Sequence, residues 1–126
     1  MTSREKAIEC CKALDEKKGK DIIIINVSGK TDICDYFVIA SAQSTMQVKA
    51  LCDNLEEKLE KKGVSARSKE GYTEGRWICM DFGDVVVHIF KDDTRLFYHL
   101  ERLWTSGDNI ERYPPEVEVV LNSVIN

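Results

Sequence analysis

The sequence predicts a single α/β domain, a mixed sheet of about five strands flanked by helices. Three observations lead there. The chain has 126 residues, 43% hydrophobic and 32% charged, which suits one globular domain with its own core. Apolar residues recur at helical spacing in three segments, and solid or alternating β-branched runs lie between them. The links between the last three strands are too short for crossovers, so those strands pair antiparallel.

The elements follow in order. Residues 2–19, "TSREKAIECCKALDEKKG", open as a helix that Thr2 or Ser3 caps. Ala7, Ile8, Cys11 and Leu14 share one stripe, and Gly19 ends the helix. "DIIIINV" is β-branched throughout, as expected of a strand covered on both faces. "SGKTDICDY" connects it to a second strand, "YFVIASA". Residues 44–63 form a long helix with Ser44 as cap and Gln47 at capping-box spacing. Its stripe is Val48, Leu51, Leu55 and Leu59, and Gly63 stops it. A short strand around "VSARSKE" and a Gly-bounded link "GYTEG" precede the hairpin "WICMDFGDVVVHIF". "KDDTRLFYHLERLW" reads as one last helix. The remainder, about 106–126, is a tail broken by a Pro pair, whose end suits a small helix or strand.

The hairpin carries the unusual chemistry. With Phe82 and Gly83 as its turn, Trp77 faces His88, Cys79 faces Val86 and Asp81 faces Asp84. Ile78, Met80, Val85, Val87 and Ile89 then share a wholly apolar face that belongs against a helix. Trp77, Cys79, Asp81, Asp84, Val86, His88 and Phe90 share the other face, which mixes aromatics with titratable groups. A longer turn would shift the pairs but not this division. Such a face suits partner binding, where aromatic anchors dominate. Each residue also has a plainer role: Trp77 as core edge, His88 as a structural histidine, Asp84 as turn chemistry.

Other functions are disfavoured. The net charge is −4 and the pI about 5.2, a poor balance for gripping nucleic-acid phosphates and a better one for a basic protein. Five cysteines, with no C-x-x-C, indicate neither a zinc site nor a disulfide framework, so they read as small buried hydrophobes in a reducing compartment. The first residues lack a signal-peptide apolar region, and no run nears the roughly 18 apolar residues of a membrane span, so a cytoplasmic protein is expected. No phosphate-binding or hydrolase motif occurs. Ser28-Gly29 followed by Asp32 and Asp35 echoes nucleotidyltransferases, but on a strand that spacing sends the carboxylates to opposite faces. A His88–Cys79 pair lacks an orienting third group. Neither catalytic residues, a metal nor a cofactor is expected.

The blocks "DYFVIASAQSTMQVKAL", "RWICMDFGDVVVHIF" and "RLFYHLERLW", in this order, resemble the ribosomal silencing factor family, also called Iojap. The resemblance implies a nucleotidyltransferase-like fold without the catalytic signature, and no enzymatic activity. It implies a partner, the protein called fourteen of the large ribosomal subunit, on the face that meets the small subunit. The bound factor would block joining of the subunits and lower translation when nutrients are scarce. Carried over to this chain, the partner-binding residues are Trp77, Asp81, His88, Phe90, Tyr98, Leu100, Glu101 and Trp104. Phe97, Leu100, Glu101 and Trp104 fall on one helical stripe that equally suits the core, whereas Tyr98 lies off it as the better surface anchor. Asp81, Asp84 and Glu101 are expected to steer a basic partner, and an exposed aromatic patch to pair free copies into a homodimer. Ala42 stands where many relatives have glycine, Thr73-Glu74-Gly75 form a variable link, and no function is assigned beyond Trp104.

Overall fold

The computed structural model describes residues 1–115. It contains helices α1 (Ser3–Glu16) and α2 (Thr45–Lys61), strands β1 (Lys20–Asn26), β2 (Tyr36–Ala42), β3 (Ser68–Glu70), β4 (Trp77–Asp81), β5 (Val85–Lys91) and β6 (Ile110–Tyr113), and the short helices α3 (Asp92–Tyr98) and α4 (Leu100–Trp104). The six strands form one sheet in the order β3-β4-β5-β2-β1-β6. Only β2 and β5 run parallel; the other neighbours are antiparallel. The sheet is therefore mixed, with α1 and α2 on one face and the α3–α4 pair on the other.

The local signals act as their chemistry requires. Thr2 Oγ1 accepts from the Glu5 N–H and Glu5 Oε1 accepts from the Thr2 N–H, a complete capping box. Ser44 Oγ accepts from the Gln47 N–H, while the Gln47 side chain reaches back one residue further, to the Gln43 N–H. After α1 the left-handed residue is Lys18, φ 64°, rather than Gly19, whose N–H donates to the Leu14 carbonyl at 2.8 Å and where a Cβ would lie 3.0 Å from that oxygen.

Strand β1 has four buried isoleucines in succession, two on each face of the sheet. Ile22 and Ile24 join the larger core with Leu14, Leu51, Leu55, Ile78, Met80 and Ile89. Ile23 and Ile25 join a smaller core with Phe37, Ile39, Val86 and Phe90. Asn54, buried in α2, donates to the Ala13 carbonyl at 2.9 Å and ties the two helices together. All five cysteines are free, and burial pushes their thiols up, those of Cys34 and Cys79 to about 11.

Three expectations change. The sheet has six strands rather than about five, because residues 110–113, in the stretch read as a tail, pair with β1. Arg4 grips Glu111 with two guanidinium nitrogens at 2.6 and 2.7 Å, clamping that edge strand to α1. The hairpin turn is Gly83-Asp84, not Phe82-Gly83, so Trp77 pairs with Phe90, Cys79 with His88 and Asp81 with Val86. Gly83 supplies the required positive φ of 93°, and Asp81 Oδ1 accepts from its N–H. The division of faces within the hairpin is unchanged. Finally, the last helix is two helices, broken at His99 in the left-handed region, φ 50° and ψ 49°. The end of the chain, read as a small helix or strand, lies outside the described residues.

Candidate functional site

The second face of the sheet is the place to look. Its helical cover is short, and the two cover helices carry large apolar side chains pointing away from the core. Leu96, Phe97 and Leu103 are 78%, 81% and 76% exposed, and Tyr98 is 53% exposed. The break at His99 makes this arrangement. In an unbroken helix Phe97, Leu100 and Trp104 would share a stripe. The left-handed residue rotates α4 relative to α3, so Leu100 and Trp104 turn onto the small core while Phe97 faces out.

Beneath the patch a relay of rings leads to the core. Tyr98 lies 5.0 Å from Trp77 between ring centroids, and Trp77 lies 4.8 Å from Phe90. Phe97 meets Tyr98 edge-on at 5.0 Å. Phe37 packs edge-on against both His88 and Trp104, at 5.1 and 5.2 Å. The Trp77 indole Nε1–H donates to His88 Nδ1 at 3.1 Å. That bond leaves the proton of the neutral imidazole on Nε2, which is buried with no hydrogen-bond partner among the described residues. Desolvation accordingly lowers the His88 pKa from 6.5 to about 4.

The residues expected to meet a partner divide into three groups. Tyr98 is exposed and Trp77 partly so, both against an open groove of about 550 Å³ that Phe97 also lines. Phe90 is 0% exposed and His88 8%, so these two support Trp77 from below rather than present a surface. Leu100 and Trp104 are partly buried against the small core and act as the underside of the patch. The acidic residues are committed within the molecule. Glu101 Oε1 accepts from Arg95 Nε at 3.2 Å, and Arg95, itself buried, donates to the Asp21 carbonyl at 2.8 Å and to Ser41 Oγ at 3.2 Å. Asp84 pairs with Lys6 Nζ at 2.6 Å. Asp81 shapes the turn.

Sequence reasoning missed Leu96 and Leu103 and placed Phe97 on a stripe that suits the core. A usable signal was present: Leu96, Phe97 and Tyr98 are consecutive, span about 200° of a helix, wider than one apolar stripe, and so exclude burial of all three on one face.

A family description, "Ribosomal silencing factor during starvation", matches residues 1–123. This chain belongs to the ribosomal silencing factor family. A ribosomal silencing factor of Halalkalibacterium halodurans is 35% identical over 111 residues, covering 88% of this chain and 95% of the relative. The crystal structure of a Chromobacterium violaceum protein superposes with a TM-score of 0.81 at 35% identity, over 86% of this chain and 92% of that one. A mouse protein named for mitochondrial assembly of the ribosomal large subunit is 36% identical over 97 residues, 73% of this chain and 42% of its own length. The family match runs past Trp104 and takes in β6, the edge strand of the silencing-factor sheet.

Proposed function

We propose that this silencing factor docks through the α3–α4 patch onto the large ribosomal subunit, at its protein fourteen. There it blocks joining of the small subunit and lowers translation when nutrients are scarce. The supporting observation is the exposed row of Leu96, Phe97, Tyr98 and Leu103 on two short helices backed by a rigid aromatic core. Protruding apolar and aromatic side chains over a firm base give anchors that bury area with little loss of rotamer freedom. The mouse relative's name, which concerns assembly of a ribosomal large subunit, points to the same particle. The action is occlusion rather than catalysis, takes place in the cytoplasm, and uses neither a cofactor nor direct sequence-specific contact with nucleic acid. When the partner is absent, the same patch pairs two copies as a homodimer.

The test is a joining assay. Purified protein added to separated subunits is expected to reduce the joined-ribosome peak in sucrose gradients and to sediment with the large subunit alone. An unchanged peak at saturating protein sinks the occlusion reading.

A further inference from the structure

We infer that the groove beside Trp77 is a seat for one arginine side chain of the protein partner, a reading that rests on the docking function proposed above. Three aromatic rings wall the groove, Trp77, Tyr98 and Phe97, in contact in that order at 5.0 Å between centroids. Two exposed carboxylates, Glu74 and Asp93, open into the same space. Aromatic faces carry negative potential and attract a cation, and carboxylates at the rim accept its N–H groups.

The seat is unfilled by the protein's own cations. Among the described residues the cations lying over rings are Arg4 above Tyr36 and two lysines above Tyr72, with none over Trp77, Phe97 or Tyr98. Glu74 has no ion-pair partner among the described residues. Asp93 has an exposed contact to Lys91 at 3.3 Å, which a better partner displaces at little cost. Arg76 also lines the groove without lying over a ring, so two carboxylates, Glu74 and Asp93, stand against one guanidinium, and the excess single negative charge suits one incoming cationic group and not a run of them.

Arginine fits better than lysine. Its guanidinium is flat and weakly hydrated, so it stacks on a ring face while its edge donates to a carboxylate. A lysine ammonium keeps its water in a groove this open. The acidic steering expected of Asp84 and Glu101 is thereby transferred to Glu74 and Asp93, because the first two carboxylates are already paired inside the fold.

The experiment uses the full chain, isotope-labelled, and three tripeptides, acetyl-Gly-Arg-Gly-amide and its lysine and citrulline counterparts. The arginine peptide is expected to shift the Trp77 and Tyr98 ring signals saturably in NMR spectra. Citrulline, neutral and of the same shape, should bind at least tenfold more weakly, and lysine at least threefold. The exposed double substitution Glu74→Gln with Asp93→Asn should abolish the arginine preference and weaken binding to isolated large subunits at least tenfold at low salt. Equal binding of arginine and citrulline, or of arginine and lysine, overturns the inference. So does a double variant that holds the large subunit as tightly as the parent. In either case the docking function stands as long as the parent binds the subunit; if the parent does not bind, the docking function itself fails.

Discussion

Trp77 is half support and half surface, and that division can be measured. Its indole rests on Phe90 and bonds to His88, while Tyr98 leans on it from outside. Trp77→Ala should therefore lower both stability and binding. Phe97→Ala is the cleaner probe. At 81% exposure its removal should leave stability within about 0.5 kcal/mol, yet weaken large-subunit binding by roughly 1–4 kcal/mol. Thermal melts beside co-sedimentation separate the two effects, and unchanged binding by Phe97→Ala would remove it from the interface. His88 makes a second prediction, on pH. Its pKa falls from 6.5 unfolded to about 4 folded, so the unfolded chain binds the extra proton first as pH drops. The stability is complete above pH 6.5 and is lost as pH falls toward 4, by about 3 kcal/mol at 1.36 kcal/mol per pKa unit. His88→Asn keeps an acceptor for the Trp77 N–H and does not titrate. Its denaturant midpoint should vary less with pH across that window, and an identical slope in both proteins would refute the account.

The two short helices depend on one backbone angle and one ion pair. His99 sits at φ 50°, a region that costs most side chains about 1 kcal/mol or more and costs glycine little. His99→Gly should hold or raise the melting temperature, and His99→Val should lower it, because a β-branched residue tolerates this angle least. Large-subunit binding should track the change, since the break aims Phe97 outward. The pair Arg95–Glu101 bridges the break, from α3 to α4, and Arg95 anchors it on β1 and β2. Glu101→Lys would leave a buried guanidinium facing a like charge, and loss of one partner of a buried pair costs about 3–5 kcal/mol. The expected outcome is a large fall in stability, read by chemical denaturation, rather than a pure change in association rate. In the proposed docking Glu101 would thus act by shaping the patch.

For the whole molecule the notable feature is a sheet used on both faces for different ends. One face lies under α1 and α2 and carries most of the core; the other is covered thinly and serves the patch. The arrangement leaves β1 needing protection at its outer edge, which β6 provides. A chain ending at residue 105 would expose an isoleucine-rich edge, a template for pairing with other chains. Such a truncation should melt lower and self-associate, as seen by light scattering. Arg4→Ala, which removes the exposed clamp on Glu111 and the cation over the Tyr36 ring, should cost about 1 kcal/mol. Monodisperse behaviour of the truncated chain would show that β6 is dispensable.

Strong local physics made much of this protein readable from its residues. Periodicity of 3.6 marked α1 and α2, the capping residues marked their starts, and four consecutive isoleucines announced a strand buried on both faces. The period of two divided the hairpin into its apolar and mixed faces whatever the turn. Long-range balance decided the rest. The Gly83-Asp84 turn is held not only by Gly83 and Asp81 but by Lys6, far away in sequence, which pairs with Asp84 and donates to the Phe82 carbonyl. His99 goes left-handed because Leu100 and Trp104 gain a core and Arg95 gains three partners, a gain that no local propensity encodes. Residues 110–113, too short and mixed to signal a strand, read as tail, and become one because β1 offers an unpaired edge and Arg4 a counter-charge. The exposed face of α3 follows from these tertiary choices, since a side chain's burial is settled by what lies opposite it and not by its own hydrophobicity.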